Sequence, residues 1–226
     1  MPSVISLPDC DLPTRSASGF LLKYIAPRLG PIHLYSMSAS RIPFIAASSF
    51  ADIIIGVGHG TNDSFSGYDE RLIMSVGNYQ PNSIKGKVIR LISCQTALVL
   101  GPDLVDKGCK SYWGFLDDVV WVADSDFAKN PWDDPIAAKF LMPMVDGLNF
   151  LLDGNSISQS LSVERQSYQK MIDDDPDLLS RSLLKFNLVN DIILGDQKAV
   201  VSKRPEIPFL ISPPPLITPL ESVYES

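Results

Sequence analysis

The stretch that decides the fold is Asp52-Ile53-Ile54-Ile55-Gly56-Val57-Gly58-His59-Gly60. After Asp52 the run is apolar, rich in β-branched side chains, and free of charge up to its Gly-His-Gly turn. Such a run is typical of a central strand in a parallel sheet, because both of its faces are buried. Val88-Ile89-Arg90-Leu91-Ile92 is a second run of this kind, and it leads into Ser93-Cys94. The two runs predict a parallel sheet at the centre of the molecule.

The segments around these two runs alternate between short apolar strands and amphipathic helices. Further strands are predicted at Val4 to Leu7, Ile32 to Ser36, Tyr112 to Phe115, Val119 to Val122 and Ile192 to Leu194. Helices are predicted over Ser16 to Leu29 and Pro102 to Lys107, and after the start signals Asp134-Pro135 and Asp175-Pro176. This alternation predicts an α/β layer fold with a mostly parallel sheet.

Length and composition indicate one domain with an appendage. The chain has 226 residues, of which 45% are apolar, enough to bury a core of its own. After Lys203 the composition changes, and residues 204–226 contain six prolines. We therefore predict a domain over residues 1–203 and an extended proline-rich tail over 204–226, serving as an edge wrap, a linker or a partner-binding segment.

The charge and the cysteine content limit the classes of partner. The net charge of −7 is unfavourable for wrapping nucleic acid or for lying on an anionic membrane. The apolar runs are too short or too interrupted for a membrane-spanning helix, and no basic leader precedes them. Three cysteines are too few for a disulfide framework. We expect a cytoplasmic protein with no nucleic acid and no membrane among its partners.

His59 and Cys94 each follow one of the two central strands. In open parallel sheets, sites form at the carboxyl ends of neighbouring strands, so adjacent strands would place both side chains at one edge. A thiol beside an imidazole equips a protein for nucleophilic catalysis, with Cys94 as nucleophile and His59 as general acid and base. The backbone N–H groups of Gly60 and Cys94 are the predicted oxyanion hole.

Each of these residues, taken singly, also has a structural interpretation. Cys94 could be a buried thiol of the core, and His59 could satisfy polar groups of a loop. A dinucleotide-binding loop is disfavoured, because its third glycine would fall at Thr61. His33 and Cys109 are interpreted as structural residues.

The histidine block 54–60 and the cysteine block 88–97 together resemble the caspase-like cysteine peptidases. Gingipain-like and CHAT-type bacterial proteases are the nearest members, and Tyr112-Trp113-Gly114-Phe115 and Leu194-Gly195-Asp196 extend the likeness over about residues 50–200. The resemblance implies a three-layer α/β/α sandwich and a thiol protease. Its Cys94–His59 dyad would hydrolyse peptide bonds of a protein or peptide substrate through an acyl-enzyme. The resemblance implies no metal and no cofactor, and it leaves open a regulatory protein partner.

Specificity in this clan comes from loops at the same edge of the sheet. Asp117 and Asp118 follow the strand after the cysteine block, and with Gln95 they are the candidate substrate-binding residues. A carboxylate there would select Lys or Arg at P1 by charge pairing; the alternative is a solvated turn. Asp63 and Asp69, on the loop after the histidine, are candidates to orient the imidazole; the alternative is that they are ordinary polar residues of the loop.

Two other functions remain open from the sequence. The first is a catalytically inactive caspase-like module that acts as a protein-binding scaffold, with the proline-rich tail as one contact. The second is a hydrolase or transferase of another α/β type that uses Cys94 on small acyl substrates.

Overall fold

The computed structural model describes residues 2–201, and its centre is a six-stranded sheet. The strands are β1 (Ser3–Leu7), β2 (Ile32–Tyr35), β3 (Ile53–Val57), β6 (Val88–Ile92), β7 (Ser111–Phe115) and β8 (Asp191–Gly195). Their order is β2-β1-β3-β6-β7-β8; the first five run parallel, and β8 pairs antiparallel with β7. Strands β4 (Ser64–Ser66) and β5 (Leu72–Ser75) form a separate hairpin after β3.

Helices cover both faces of the sheet. They are α1 (Leu12–Tyr24), α2 (Arg41–Ser48), α3 (Leu100–Asp106), α4 (Pro135–Leu152), α5 (Ile157–Asp174) and α6 (Leu178–Asn190). Side chains alternate across a strand, so Ile53 and Ile55 enter the core beneath α1, α4 and α5. Ile54 enters the second core, beneath α2, α3 and the hairpin. The predicted α/β fold with a mostly parallel sheet is confirmed, and its layers are those of an α/β/α sandwich.

The strand predictions are accurate where apolar runs are buried on both faces. Strand β6 has the predicted bounds, and the predicted ends of β1, β2, β3, β7 and β8 lie within one residue of those observed. A strand that is buried on both faces of the sheet consists mostly of apolar residues. Such a strand can therefore be recognised from its own sequence, without knowledge of its neighbours.

The strand predicted at Val119 to Val122 is wrong. This segment follows β7 as an irregular chain in which Val119 is buried. Asn187 of α6 takes the place of a neighbouring strand: its side-chain amide donates to the carbonyl of Val120 at 2.6 Å and accepts from the N–H of Val120 at 2.9 Å. A side chain from a distant helix therefore satisfies this backbone.

The helix predicted over residues 16–29 begins and ends earlier. Asp11 caps α1, accepting from the backbone N–H of Thr14 at 2.8 Å, so the helix starts at Leu12. It ends at Tyr24, and Pro27 lies in a separate 3-10 turn over Ala26–Arg28. The earlier start has a functional consequence, because Asp11 lies at the carboxyl end of β1.

Other helix starts were predicted with mixed success. Helix α4 starts at Pro135 with Asp134 as its cap, as predicted. Helix α6 is capped by Asp177 instead of Asp175, whose carboxylate binds Lys139 and Ser180. The sequence analysis did not predict α2, α5 or the β4–β5 hairpin. The predicted tail and its boundary at residue 203 lie outside the described residues.

Helix α4 is the one described helix long and apolar enough to cross a membrane by length and composition. It has 18 residues and a mean hydropathy of 1.2, and 56% of it is buried within the fold. Its apolar side chains belong to the core shared with α1 and α5. This apolar character is what a central core helix requires.

A charged cluster lies within the buried centre of the sheet. Arg90 of β6 is fully buried and binds Asp191 at 2.6 Å and Glu164 at 2.9 Å. Its guanidinium lies over the ring of Trp113, whose indole N–H donates to Asp191 at 2.9 Å. The cluster joins β6, β7 and β8 to α5. It fills the middle of a strand that would otherwise be wholly apolar.

Candidate active site

His59 and Cys94 leave neighbouring strands at the same edge of the sheet. Strands β3 and β6 are paired in parallel, with Val57 opposite Ile92 as their last partners. Two residues further along each chain are His59 and Cys94, so they emerge side by side. The structure thus brings together the two residues predicted to form the dyad.

Gly60 packs directly against the turn that carries Cys94. A Cβ atom on Gly60 would lie 2.3 Å from Ser93 Oγ and 2.5 Å from the carbonyl oxygen of Cys94. Real Cβ atoms do not approach other atoms so closely, so only glycine fits here. The His59 turn and the Cys94 turn are therefore in contact.

The two predicted oxyanion donors are not used by the hydrogen bonds of the sheet. Within residues 2–201, the backbone N–H groups of Gly60 and Cys94 donate to no backbone or side-chain oxygen. Backbone donors at a half-exposed strand end suit a developing oxyanion, because they are fixed in place before the reaction.

Asp11 orients the imidazole, a role for which Asp63 and Asp69 were candidates. His59 Nε2 donates to Asp11 Oδ2 at 2.7 Å. Asp63 instead accepts from Thr61 at 2.7 Å, and Asp69 lies 3.5 Å from Arg71. Of the two interpretations of these carboxylates, the structure therefore agrees with ordinary polar residues of the loop.

Asp11 divides its two oxygens between helix and imidazole. Oδ1 caps α1 through Thr14, and Oδ2 holds His59. Burial opposes ionisation, but the hydrogen bonds from His59 and Thr14 outweigh it and lower the pKa of Asp11. An available signal was the capping pattern Asp11-x-x-Thr14 directly after β1, which neighbours β3 in the sheet.

Cys94 is held as a thiol. Its side chain is partly buried, and Sγ lies 4.0 Å from the carbonyl oxygen of Val119. Burial is the largest effect and raises the pKa of the thiol; the contact with the Val119 backbone opposes it, and the neighbouring Asp118 carboxylate adds to the increase. Among the described residues, no hydrogen bond joins Sγ to His59. Such bonds commonly form only when substrate binds.

Gln95, the residue after Cys94, adopts a strained conformation. Gln95 has a φ of 59°, in the left-handed region. Its backbone N–H donates to the carbonyl of Asp117 at 3.0 Å, and its side chain donates to Asp118 Oδ1 at 3.1 Å. These bonds hold the turn after β6 against the turn after β7.

The two predicted specificity carboxylates have different surroundings. Asp117 accepts from the backbone N–H of Asp118 at 2.8 Å, as the solvated-turn alternative requires. Asp118 reaches the Gln95 side chain and influences the Cys94 thiol. Of the two, Asp118 is the one placed beside the nucleophile.

The residues interpreted as structural lie away from this edge. Cys109 is buried, with Sγ 3.3 Å from the carbonyls of Lys87 and Ser111. His33 is exposed on the edge strand β2. In the part of the chain that the structure describes, no three His, Cys, Asp or Glu side chains cluster as a metal site.

Comparisons with known proteins assign no family. No protein family model matches the chain, and no curated protein is significantly similar to it in sequence. The likeness to caspase-like peptidases therefore depends on the two sequence blocks themselves.

Proposed function

We propose that this protein is a cysteine hydrolase that cleaves peptide bonds with Cys94 as nucleophile and His59 as general acid and base. The observation that carries the proposal is the contact of Gly60 with the Ser93-Cys94 turn. That contact brings nucleophile, base and two free N–H donors to one edge of the sheet.

The proposed reaction follows from the positions of these groups. Nε2 of His59 is held by Asp11, which leaves Nδ1 to take the thiol proton as Sγ attacks the substrate carbonyl carbon. The oxyanion accepts from the N–H groups of Gly60 and Cys94. His59 then protonates the leaving amine as the C–N bond breaks, and a thioester remains.

Water completes the cycle. His59 removes a proton from a water molecule, the resulting hydroxide attacks the thioester, and Cys94 leaves as it regains its proton. Asp11 stabilises the imidazolium that forms in each half-reaction, as the carboxylate of a catalytic triad does. Because the pKa of Cys94 is raised, the thiolate forms during attack instead of being present at rest.

The proposed substrate is a protein or peptide with a basic P1 residue. Asp118, with Gln95 bound to it, is the carboxylate beside the nucleophile that could pair with Lys or Arg. All three cysteines are free thiols, which is consistent with the proposed cytoplasmic location.

Intact-mass analysis with peptidyl acyloxymethyl ketones tests the proposal. A panel with different P1 residues is incubated with the wild type, Cys94→Ala and His59→Ala. We expect one label per chain on Cys94 from one P1 class, and none in either variant. Cys10→Ala is the matched control, since Cys10 is also partly buried and lies 3.6 Å from Asp11 Oδ2. Labelling of Cys10 in the wild type, or none with any P1 residue, would contradict the proposal.

A binding module is the second candidate, favoured by the partial burial of Cys94, which raises the pKa of its thiol. It predicts that no member of the panel labels Cys94 while simple iodoacetamide does. It also predicts that a partner captured by the wild type is captured equally by Cys94→Ala.

A further inference from the structure

The turn after β7 contacts the proposed nucleophile, Cys94, and the residue that follows it. Sγ of Cys94 lies 4.0 Å from the carbonyl oxygen of Val119, and the Gln95 side chain donates to Asp118 at 3.1 Å. Cys94 thus faces Val119, and Gln95 faces Asp118. The bond from Gln95 keeps the Asp118 carboxylate near enough to the Cys94 thiol to influence it.

This arrangement opposes what a thiol nucleophile requires. A nearby anion disfavours a thiolate, and reactive cysteines normally lie in electropositive surroundings. Here the thiol lies beside the carbonyl oxygen of Val119, and the Asp118 carboxylate is held on the adjacent residue, Gln95, whose backbone is left-handed. Two other carboxylates of the described residues lie at this edge: Asp11 is already bound to the His59 imidazole, and Asp117 is exposed and accepts from the backbone N–H of Asp118.

We propose that Asp118 is a positioning residue that keeps Cys94 unreactive until a cationic group of the substrate neutralises its carboxylate. The inference rests on the proposed function, of which it names the regulation. Asp118 is exposed, so a substrate cation can reach it from solvent. Recognition of the cation and activation of the nucleophile then become one event.

Alkylation of Cys94 by iodoacetamide tests this without any turnover. In Asp118→Asn the amide oxygen still accepts from Gln95, while the charge is gone. We expect Cys94 to react about three- to tenfold faster than in the wild type near neutral pH, because one pKa unit is a tenfold change in thiolate. The pH midpoint of alkylation should fall in the same variant.

Asp117→Asn is the matched control. Its carboxylate binds the backbone N–H of the next residue, and an amide oxygen can do the same. We expect its alkylation rate to stay within about twofold of the wild type, since a more distant exposed charge is screened. Equal rates in Asp118→Asn and the wild type, or equal acceleration in both variants, would overturn the proposal.

Methylguanidinium tests the second half of the proposal. It should accelerate alkylation of wild-type Cys94 and leave Asp118→Asn unchanged. No acceleration in the wild type would show that a cation does not relieve the restraint. If the wild type cleaves no peptide but shows the expected alkylation pattern, the proposed peptidase activity is refuted and the role of Asp118 is not. Failure of the proposed function and failure of this inference are therefore distinguishable.

Discussion

The sheet carries two polar assemblies that differ in exposure. Around Arg90, at the middle of β6, the guanidinium and both carboxylates are at most 1% exposed. At the carboxyl edge of the sheet, beyond the ends of β3 and β1, the His59 and Asp11 side chains are 40% and 34% exposed. Both assemblies contain short contacts between nitrogen and carboxylate oxygen, but only the second has solvent with which to exchange protons.

The difference shows how burial affects the role that a cluster of charged side chains can have. A buried ion must be compensated by its neighbours at every moment, so the Arg90 cluster holds three strands and a helix in one arrangement. A half-exposed pair can change its protonation at a smaller cost, as the proposed roles of Asp11 and His59 require. The following predictions are arranged to test this contrast.

Removal of Arg90 should have the largest effect on stability. Arg90→Met keeps most of the side-chain volume but leaves Glu164 and Asp191 without their cation. We expect the free energy of unfolding to fall by about 3–5 kcal/mol, measured by urea denaturation at neutral pH. The loss should shrink in mild acid, because burial raises the pKa of Glu164 and protonation removes its uncompensated charge.

Arg28→Met is the control for this substitution. Arg28 binds Asp153 at 2.5 Å, but both side chains are substantially exposed. Its loss should lower the free energy of unfolding by less than about 1 kcal/mol. Similar losses in the two variants would show that burial does not separate the two kinds of ion pair.

The two carboxylates of the buried cluster should respond differently to amide substitution. Burial raises the pKa of Glu164 well above its usual range, and Arg90 offsets this only in part. Burial favours the protonated form of Glu164, and an amide is its closest neutral analogue, so Glu164→Gln should change the free energy of unfolding by less than about 1 kcal/mol. Asp191→Asn should lower it by about 2–3 kcal/mol, because it weakens the contact with Arg90.

The pH dependence of stability checks the same point. A group whose folded pKa is raised contributes stability below its unfolded pKa, and this is lost as the pH rises through the folded value. The free energy of unfolding of the wild type should therefore decline as the pH rises from the unfolded-state pKa of Glu164 to its higher folded-state pKa. Glu164→Gln should lack this decline, and a decline of equal size in both proteins would refute the assignment.

At the exposed assembly, Asp11→Asn should affect activity more than stability. Asparagine is also a good helix cap, so α1 should remain intact. The charge that stabilises the imidazolium is lost, and we expect kcat to fall about 10- to 100-fold on the best labelled peptide sequence. Asp11→Ala should lose the cap as well, lowering the free energy of unfolding by about 1 kcal/mol.

Asp63→Asn is the control, since the structure places its carboxylate on Thr61 and not on the imidazole. An equal loss of kcat in Asp63→Asn and Asp11→Asn would mean that Asp11 has no special role.

The smallest expected effect concerns the strained residue beside the nucleophile. Gln95→Gly should raise the free energy of unfolding by about 0.5–1 kcal/mol, because glycine adopts a positive φ without steric strain. Gln95→Ala should give no such gain. If the glycine variant is less stable than the alanine variant, the side-chain bond to Asp118 matters more than the backbone strain.

The strands could be predicted because their signal is local. β6 and its neighbours are recognisable from apolar runs, and His59 and Cys94 from their positions just after two of them. Val119 to Val122 was wrongly predicted as a strand from the same kind of apolar run. The backbone of Val120 there bonds to the side chain of Asn187, a residue far along the chain, instead of to a neighbouring strand. Asp11 escaped notice for a related reason: it reaches His59 across 48 positions of sequence.

The sequence by itself determined the fold class and the two side chains predicted to react. Because both faces of a central strand are buried, its sequence is a nearly continuous apolar run, and the turn after that run lies at the edge of the sheet. Only the tertiary structure decided which carboxylate holds the imidazole and which one faces the thiol. Those contacts depend on the order of strands in the sheet, and side-chain periodicity along one strand carries no information about its neighbours.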